Sequence, residues 1–301
     1  MESSIYNKIV IGTWPLSGEL GRVSLRNSID TIEKCINSNL LQFDTAPNYG
    51  NGFCESLIGV ISDGDPRIKL NTKFGNSAYI NKSFKNVNLE ESFYQSLTRL
   101  KTTRIDTLFL HNPRDEIKDF SKVFQLFKKL KDKKLIKKSG LSMAKGYRYG
   151  TELNRFDSIQ NDFNLLYQPK IKLNYNSKNK QIFFARSVLA TGILSGNLAR
   201  DSKFESNDYR ASWLKGLRLK SILKRIEKIK NLSNIALPSV ARRYAIFNNE
   251  IDKIIIGIKT PEHAQDICDD IDRGPLSKGL IKKIKELYDS DFGLVNEEKY
   301  S

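Results

Sequence analysis

Several features that would direct a 301-residue chain toward other protein classes are scarce or absent. No apolar run approaches the ~18–20 residues that a membrane-spanning helix needs, and the N-terminus lacks the basic-then-apolar layout of a secretory signal. Three cysteines, Cys35, Cys54 and Cys268, are an odd number without metal-ligand spacing, and only two histidines are present. These absences predict a cytoplasmic protein in a reducing compartment, with no membrane association, no disulfide framework and no metal site.

The glycine-rich turn that an open dinucleotide-binding sheet carries directly after its first strand is also missing. Its nearest candidate, residues 50–55, lacks the third glycine and lies several residues beyond a strand. No linker rich in glycine, proline or serine divides the chain, and no internal repeat is visible. Residues 1–301, of which 39% are apolar, are therefore expected to form a single domain.

Strand-like and helix-like segments follow one another along the whole chain. Short apolar runs predict strands at 8–13, 40–44, 69–73, 105–111, 136–142, 157–161, 182–187 and 252–258. Helical spacing of apolar residues occurs between them, for example at 25–38, 53–62, 89–100, 121–134, 217–231 and 239–248. Because parallel strands need crossover helices, this order predicts an α/β fold, a single (β/α)8 TIM barrel with its active site at the C-terminal ends of the strands. An open doubly wound sheet is the alternative.

Positive charge is in excess, with a formal net charge of +16. Such an excess is compatible with binding to nucleic acid or to an acidic membrane surface. The lysines of residues 127–138, however, are interspersed with apolar residues at helical spacing, which is typical of a solvated helix face. No pattern of a known nucleic-acid-binding module accompanies the charge, so no nucleic-acid partner is expected. The positive potential would favour an anionic cofactor or a phosphorylated substrate.

Four polar side chains end or closely follow predicted strands. Asp44, Lys73 and His111 lie at three successive strand ends, and Tyr49 follows Asp44 by a few residues. Each residue taken alone has an ordinary structural explanation. Asp44 could cap a helix and Lys73 could be a strand-end lysine, while His111 could lie in the core and Tyr49 at the rim. Together they would share one rim of a parallel barrel, where catalytic groups collect. In such a site Asp44 would hold Lys73, the Lys73 ammonium would lower the pKa of Tyr49 toward the working pH of a general acid, and His111 would orient a carbonyl oxygen.

The segments that carry these residues resemble those of the aldo-keto reductases. Residues 43–50 are similar to the strand-2 signature of that family, 72–75 to its lysine strand and 108–113 to its histidine strand. Further motifs follow in the order of the family at 139–142, 159–164, 187–196 and 256–262. The resemblance extends from about residue 9 to residue 270.

The resemblance implies that Asp44, Tyr49, Lys73 and His111 form a catalytic tetrad with Tyr49 as the proton donor. It implies NADPH as the cofactor, with NADH as the alternative. The implied cofactor-binding residues are Ser142, Gln160, Arg186, Ser187, Leu189, Gly257, Lys259, Thr260, His263 and Asp266. Independently of the resemblance, Thr260-Pro261-Glu262 is a good helix start, and a helix N-terminus after the last strand is suited to binding an anion.

Several positions depart from the pattern of the family, among them Asp266 and Ile267, where a Glu-Asn pair usually faces the adenine. Met143 stands where an asparagine is usual, Arg186 where an aromatic ring often stacks under the nicotinamide, and His263 where an arginine often binds the 2′-phosphate. The charge of Arg186 would disfavour the oxidised, cationic nicotinamide ring.

The sequence thus predicts an NAD(P)H-dependent oxidoreductase that reduces an aldehyde or ketone, its small-molecule partner, to an alcohol. The irregular segment 195–215 follows a strand and carries polar and aromatic residues, which favours a sugar-derived carbonyl substrate. Three alternatives remain: a non-catalytic nucleotide-binding regulatory barrel, an alcohol or aldose dehydrogenase that works in the oxidative direction, and a basic nucleic-acid-binding barrel. A monomer or weak homo-oligomer is expected.

Overall fold

The computed structural model describes residues 5–76, 82–169 and 180–294. Their strands are β1 (Ile9–Gly12), β2 (Gln42–Asp44), β3 (Lys69–Phe74), β4 (Ile105–His111), β5 (Ile136–Ser142), β6 (Ser158–Asp162), β7 (Ile182–Arg186) and β8 (Lys253–Gly257). Each strand pairs in parallel with the next, and β8 pairs with β1, so the sheet closes into a barrel in chain order. The predicted α/β TIM barrel is confirmed, and the open doubly wound sheet is excluded.

Helices cover the outside of the barrel. They are α1 (Leu25–Asn37), α2 (Phe53–Ser62), α3 (Asn86–Arg99), α4 (Ser121–Asp132), α5 (Gly216–Lys230), α6 (Leu237–Ile246), α7 (Pro261–Asp272) and α8 (Lys278–Asp289). The connection from β5 to β6, all of which is described, contains a short 3-10 helix, Thr151–Arg155, and no α-helix. Within the described ranges, no helix has the length and apolar composition needed to cross a membrane.

The predicted start of α7 is present at Pro261, with Thr260 at the N-cap position. The Thr260 side chain makes no capping hydrogen bond there. Two other helices are capped as their sequences favour: the Ser24 hydroxyl accepts from the backbone of α1, and the Ser277 hydroxyl does the same for α8. These caps satisfy backbone N–H groups that the first turn of a helix leaves without partners.

An apolar layer fills the barrel below its polar rim. Val10, Phe109, Phe184 and Ile255 form one buried cluster contributed by four strands. The rings of Phe109 and Phe184 meet edge to face, with centroids 5.2 Å apart. Since side chains alternate along a strand, Phe109 and His111 point to the same side of β4. The layer therefore forms the floor on which the polar residues at the strand ends stand.

Gly140 of β5 makes room for this layer. A Cβ atom at that position would overlap the Phe109 ring. We predict that Gly140→Ala lowers the free energy of unfolding by about 1–3 kcal/mol, because overpacking forces neighbouring side chains or backbone to shift. Urea unfolding followed by circular dichroism measures the change. Gly279→Ala is the control, since Gly279 lies in α8 with open space around it and should be neutral or stabilising. Equal stability of Gly140→Ala and wild type would contradict the packing account.

Candidate active site

A buried ion pair lies at the ends of β2 and β3. The Lys73 Nζ donates to Asp44 Oδ1 at 2.5 Å and to the backbone carbonyl oxygen of Thr45 at 2.7 Å. The two side chains are only 1% and 4% exposed. Burial lowers the pKa of Lys73, but Asp44 and Tyr49 outweigh this effect and hold the pKa above its ordinary value. A permanent positive charge is thereby fixed under the rim.

Tyr49 sits over this charge. The Lys73 Nζ lies 4.8 Å from the centroid of the Tyr49 ring. Burial of the phenol raises the pKa of Tyr49, and the opposing effect of Lys73 does not reverse the increase. The expectation that Lys73 would bring this pKa down toward neutrality is therefore wrong, because desolvation outweighs the ammonium. Tyr49 is consequently protonated at neutral pH.

His111 faces Tyr49 from β4. Its ring meets the Tyr49 ring edge to face, with centroids 6.1 Å apart. Burial, together with the positive charges of Lys73, Arg186 and Lys82, holds the pKa of His111 well below its ordinary value of 6.5. The imidazole is therefore neutral near pH 7. Its Nδ1 is buried without a hydrogen-bond partner in the described part of the chain, an arrangement that costs about 1–3 kcal/mol.

A chain of hydrogen bonds connects the ion pair to residues on the other side of the barrel. The Gln160 Nε2 donates to Asp44 Oδ2 at 2.9 Å, and the Ser142 hydroxyl donates to Gln160 Oε1 at 2.8 Å. The Arg186 Nη1 in turn donates to the Ser142 hydroxyl oxygen at 2.6 Å. Three of the predicted cofactor residues therefore contact one another, and one of them, Gln160, contacts Asp44 directly.

Arg186 is held in place by Asp162, a residue that the sequence analysis missed. Its Nε donates to Asp162 Oδ1 at 2.8 Å, its Nη2 donates to the Met143 carbonyl oxygen at 2.7 Å, and Ser187 also donates to Asp162. Burial raises the pKa of Asp162, but Arg186 outweighs it and holds that pKa below its ordinary value. Asp162 ends β6, so the signal that identified Asp44, a polar residue at a strand end, was present. Met143 contributes its backbone here, which explains how this position tolerates an apolar side chain.

Two cavities meet at Tyr49. Lobe A, of about 670 Å³, is bordered by the segments after β3, β4 and β5 and includes His111 and Ser142. Lobe B, of about 350 Å³, is bordered by β1, β7, β8 and the start of α7. Six residues line both lobes: Trp14, Tyr49, Gln160, Arg186, Ser187 and Thr191. Tyr49 thus lies at the junction of two adjoining binding spaces.

Lobe B contains most of the predicted cofactor residues. They are Gln160, Arg186, Ser187, Leu189, Gly257, Lys259, His263 and Asp266. Ser142 lines lobe A, and Thr260 lines neither lobe. The backbone N–H of Lys259 donates to His263 Nδ1 at 3.1 Å, which places the ring proton of His263 on Nε2. Asp266 pairs with Arg242 at 3.5 Å.

Trp14 and Glu19, in the segment after β1, were also missed from the sequence. The Trp14 Nε1 donates to Glu19 Oε2 at 2.7 Å, and Glu19 Oε1 accepts from the backbone of Gly50 at 3.2 Å. The Trp14 ring lies 6.3 Å from the Tyr49 ring and 5.4 Å from the Tyr209 ring. These contacts fix the turn that carries Tyr49. The segment after β1 has no periodic pattern of apolar residues, so its sequence does not indicate that Trp14 and Glu19 belong to the site.

The irregular segment 195–215 reaches the site through only some of its residues. Trp213 lines lobe A and Arg210 lines lobe B, whereas Arg200, Asp201 and Asn207 line neither. Arg210 is bound by the carboxylate of Asp208 at 2.6 Å. Of the polar and aromatic residues of this segment that favour a sugar-derived substrate, those that line a cavity are Ser195, Asn197, Tyr209, Arg210, Ser212 and Trp213.

Neither a metal cluster nor a reactive thiol is seen at this rim. Among the residues described, no group of three His, Cys, Asp or Glu side chains is placed to hold a metal ion. Cys54 is buried next to the turn that carries Tyr49, and its burial raises its pKa to about 12. The thiol is therefore protonated and unreactive at neutral pH.

Comparison with known proteins agrees with this geometry. A sequence profile of the Aldo/keto reductase family matches residues 8–289. The chain is 28% identical over 215 residues to aldo-keto reductase YhdN of Bacillus subtilis (strain 168), an alignment that covers 68% of this chain and 65% of that protein. It is 30% identical over 159 residues to the uncharacterized oxidoreductase YcsN of the same strain, covering 48% of this chain and 51% of that protein. The chain therefore matches less than two thirds of the length of either relative.

Among solved structures, the glycerol dehydrogenase AKR11B4 from Gluconobacter oxydans is similar, with a TM-score of 0.79 and 20% identity. The match covers 98% of this chain and 94% of that chain. At this identity the likeness shows the fold and no more. The profile match is the stronger result, because it extends over nearly the whole barrel and includes the strand ends at which the polar residues meet. The chain belongs to the aldo/keto reductase family.

Proposed function

We propose that the protein reduces an aldehyde or ketone by hydride transfer from NADPH, with Tyr49 as the proton donor. The observation that carries this proposal is the position of Tyr49 at the junction of two cavities, above the buried pair of Lys73 and Asp44. One cavity can hold a nucleotide and the other a carbonyl compound, and Tyr49 borders both. Proton and hydride donors must approach one carbonyl group together.

Lobe B fits a phosphorylated nucleotide. Lys259, Arg242 and the Nε2–H of His263 supply donors beside the N-terminus of α7, where the helix dipole favours an anion. NADPH is the proposed nucleotide and NADH the alternative. When bound, the nicotinamide supplies the hydride. Gln160, Ser187 and Arg186 then border the space next to Tyr49 and exclude water from it.

The chain's own residues account for the movement of the proton. Tyr49 donates its hydroxyl proton to the carbonyl oxygen as negative charge develops there. The Lys73 ammonium stabilises the phenolate that remains, and Asp44 keeps Lys73 in position. Neutral His111 faces the same space and can donate a hydrogen bond to the carbonyl oxygen. No step requires another acid.

The raised pKa of Tyr49 supports the reductive direction. A proton donor must start protonated, and Tyr49 is protonated throughout the neutral range. An alcohol dehydrogenase working in the oxidative direction would need the phenolate as its base, which burial disfavours here. A neutral-pH preference for reduction is therefore proposed, with oxidation gaining only in alkaline solution.

Replacing Tyr49 tests the proton donor. Tyr49→Phe removes only the hydroxyl group, so we expect kcat for NADPH-dependent aldehyde reduction to fall by about 10²–10⁴-fold, the usual contribution of a general acid. The affinity for NADPH, measured by fluorescence titration, should stay within about twofold, since the Tyr49 ring and every other residue that lines lobe B are retained. Tyr94→Phe, on the outside of α3, is the matched control and should behave as wild type. Unchanged turnover in Tyr49→Phe would exclude this role.

The wild-type protein also distinguishes the alternative functions. Nucleotide binding without any turnover would support a regulatory barrel, and salt-sensitive RNA binding without nucleotide affinity would support a nucleic-acid-binding barrel.

The pH dependence of the rate tests the environment of Tyr49. The pKa of Tyr49 lies above its ordinary value of 10.0, and the pKa of His111 lies well below its ordinary value of 6.5. Neither group therefore changes its protonation state between pH 6.5 and pH 10. We expect kcat/KM for reduction to be constant from about pH 7 to about pH 10 and to fall above, because the acid loses its proton there. The kcat/KM for alcohol oxidation should instead rise as the pH approaches the pKa of Tyr49, because the phenolate is the base for that direction. A descending limb near pH 8 for reduction that is absent in Tyr49→Phe would contradict the raised pKa.

Substitution of Arg186 tests its effect on the cofactor. Its positive charge next to the junction should disfavour the oxidised nicotinamide, which is itself a cation. Arg186→Gln removes the repulsion between the guanidinium and the cationic nicotinamide of NADP+, which we take as about 1 kcal/mol for a partly exposed pair. We therefore expect the affinity for NADP+ to increase relative to that for NADPH by roughly three- to tenfold. Fluorescence titration of both nucleotides measures the ratio. Arg186→Lys keeps the charge and is the control. The same ratio in wild type and Arg186→Gln would contradict the electrostatic role.

A further inference from the structure

We propose that Glu55, which lines neither lobe, is a positioning residue for Tyr49. Its buried carboxylate fixes the turn that carries Tyr49 against β3, the strand that carries Lys73. The inference rests on the proposed function, in which Tyr49 donates a proton to the carbonyl oxygen. It adds to that reaction a residue that lies outside both cavities.

The turn that carries Tyr49 leads directly into α2. The three residues after Tyr49 have left-handed backbone conformations, with φ of 58° at Gly50, 52° at Asn51 and 87° at Gly52. The Tyr49 carbonyl oxygen accepts from the backbone N–H of Cys54, in the first turn of α2, at 3.3 Å. The position of Tyr49 therefore follows that of the first turn of α2.

Glu55 joins this first turn to the barrel. It is completely buried, and its Oε1 accepts from the Thr72 hydroxyl group at 2.5 Å. Thr72 directly precedes Lys73 in β3. Because side chains alternate along a strand, Thr72 points out toward α2 while Lys73 points into the barrel toward Asp44. The contact between Glu55 and Thr72 thus sets the height of α2 beside the strand from which Lys73 reaches Tyr49.

The second carboxylate oxygen of Glu55 binds the end of α3. The Arg99 Nε donates to Glu55 Oε2 at 2.7 Å, and the Arg99 Nη2 donates to the Ser96 hydroxyl oxygen at 3.3 Å. The Arg99 side chain also packs against the turn itself, since a Cβ atom at Gly52 would lie 2.8 Å from the Arg99 Cδ. One carboxylate therefore holds α2, α3 and β3 together directly behind the turn.

Apolar packing would serve stability at least as well as this carboxylate. Burying a charge is costly, and well-packed apolar residues in place of a buried ion pair are often equally stable or more stable. Hydrogen bonds depend on direction and distance, so a carboxylate that accepts from two elements restricts their relative position more narrowly than apolar contacts do. The position that Glu55 restricts is that of Tyr49 relative to Lys73. This location favours a role in the reaction.

Loss of the bond from Thr72 to Glu55 would affect the reaction through distance. The Lys73 Nζ lies 4.8 Å from the Tyr49 ring centroid, and Asp44 holds Lys73 in place independently of Glu55. Without the bond, α2 and the turn can shift along β3 while Lys73 stays where it is. A misplacement of about 1 Å can cost about 10²-fold in rate. Proton transfer would therefore slow, whereas the residues that bind the nucleotide remain in place.

Two substitutions of Thr72 test the inference. Thr72→Val removes the hydroxyl donor at nearly constant volume, and we expect kcat for aldehyde reduction with NADPH to fall about tenfold. The KM for the aldehyde and the affinity for NADPH should stay within about twofold. Thr72→Ser keeps the donor and should restore kcat to within about twofold of wild type. Each kcat is expressed per NADPH-binding site, counted by fluorescence titration, so that unfolded protein does not lower the value.

Ser139→Ala is the matched control. The Ser139 hydroxyl group, on β5, donates to Asp157 Oδ2 at 2.8 Å, which is the same kind of bond between a strand and a carboxylate. Neither Ser139 nor Asp157 lines a lobe. Its kcat per binding site should equal that of wild type, even where urea unfolding shows a loss of stability similar to that of Thr72→Val. If Thr72→Val does not fold, Glu55→Gln takes its place, because removing the charge of the acceptor weakens the bond and should lower kcat several-fold.

The outcomes separate this inference from the proposed function. If Thr72→Val turns over as fast per binding site as Ser139→Ala, or if Thr72→Ser is as slow as Thr72→Val, the positioning role of Glu55 is excluded while carbonyl reduction by Tyr49 stands. If the wild-type protein reduces none of a panel of aldehydes with NADPH, the proposed function itself fails, and the inference fails with it.

Discussion

The buried contact between Lys73 and Asp44 is the interaction on which the arrangement of the rim depends. Both charges are almost fully excluded from solvent, so each is stable only while the other remains in place. Asp44 uses its second carboxylate oxygen to accept from Gln160, which extends the contact across the barrel toward Ser142 and Arg186. The pair therefore orders two sides of the rim at once.

Arg186 brings hydrogen bonds and a positive charge to a position of the rim where an aromatic ring would bring neither. Its guanidinium contacts Asp162, Ser142 and the backbone of Met143, so it is part of the hydrogen-bonded wall between the two lobes. It also adds positive charge near His111 and Lys145 and contributes to the low pKa of the imidazole. A single residue thus borders both the proposed cofactor space and lobe A.

The barrel and the rim residues are largely predictable from the sequence, because both depend on local patterns. Strand-length apolar runs located all eight strands, and the rule that polar residues at parallel strand ends share one edge brought Asp44, Lys73 and His111 together. The same rule applied to β6 would have found Asp162. The direction in which the pKa of Tyr49 shifts could not be predicted from the sequence, because it depends on how deeply tertiary packing buries the phenol. Trp14 and the division into two lobes were missed for the same reason, as they arise from contacts between distant segments.

The most direct test of the proposed chemistry follows a label from the cofactor to the product. NADPH carrying deuterium at the transferable position of the nicotinamide is incubated with the protein and an aldehyde, and the alcohol is examined by mass spectrometry and NMR. The account predicts one deuterium on the carbinol carbon for each NADPH consumed, with the hydroxyl proton derived from solvent through Tyr49. Alcohol without deuterium at that carbon, or NADPH consumed without alcohol, would contradict it.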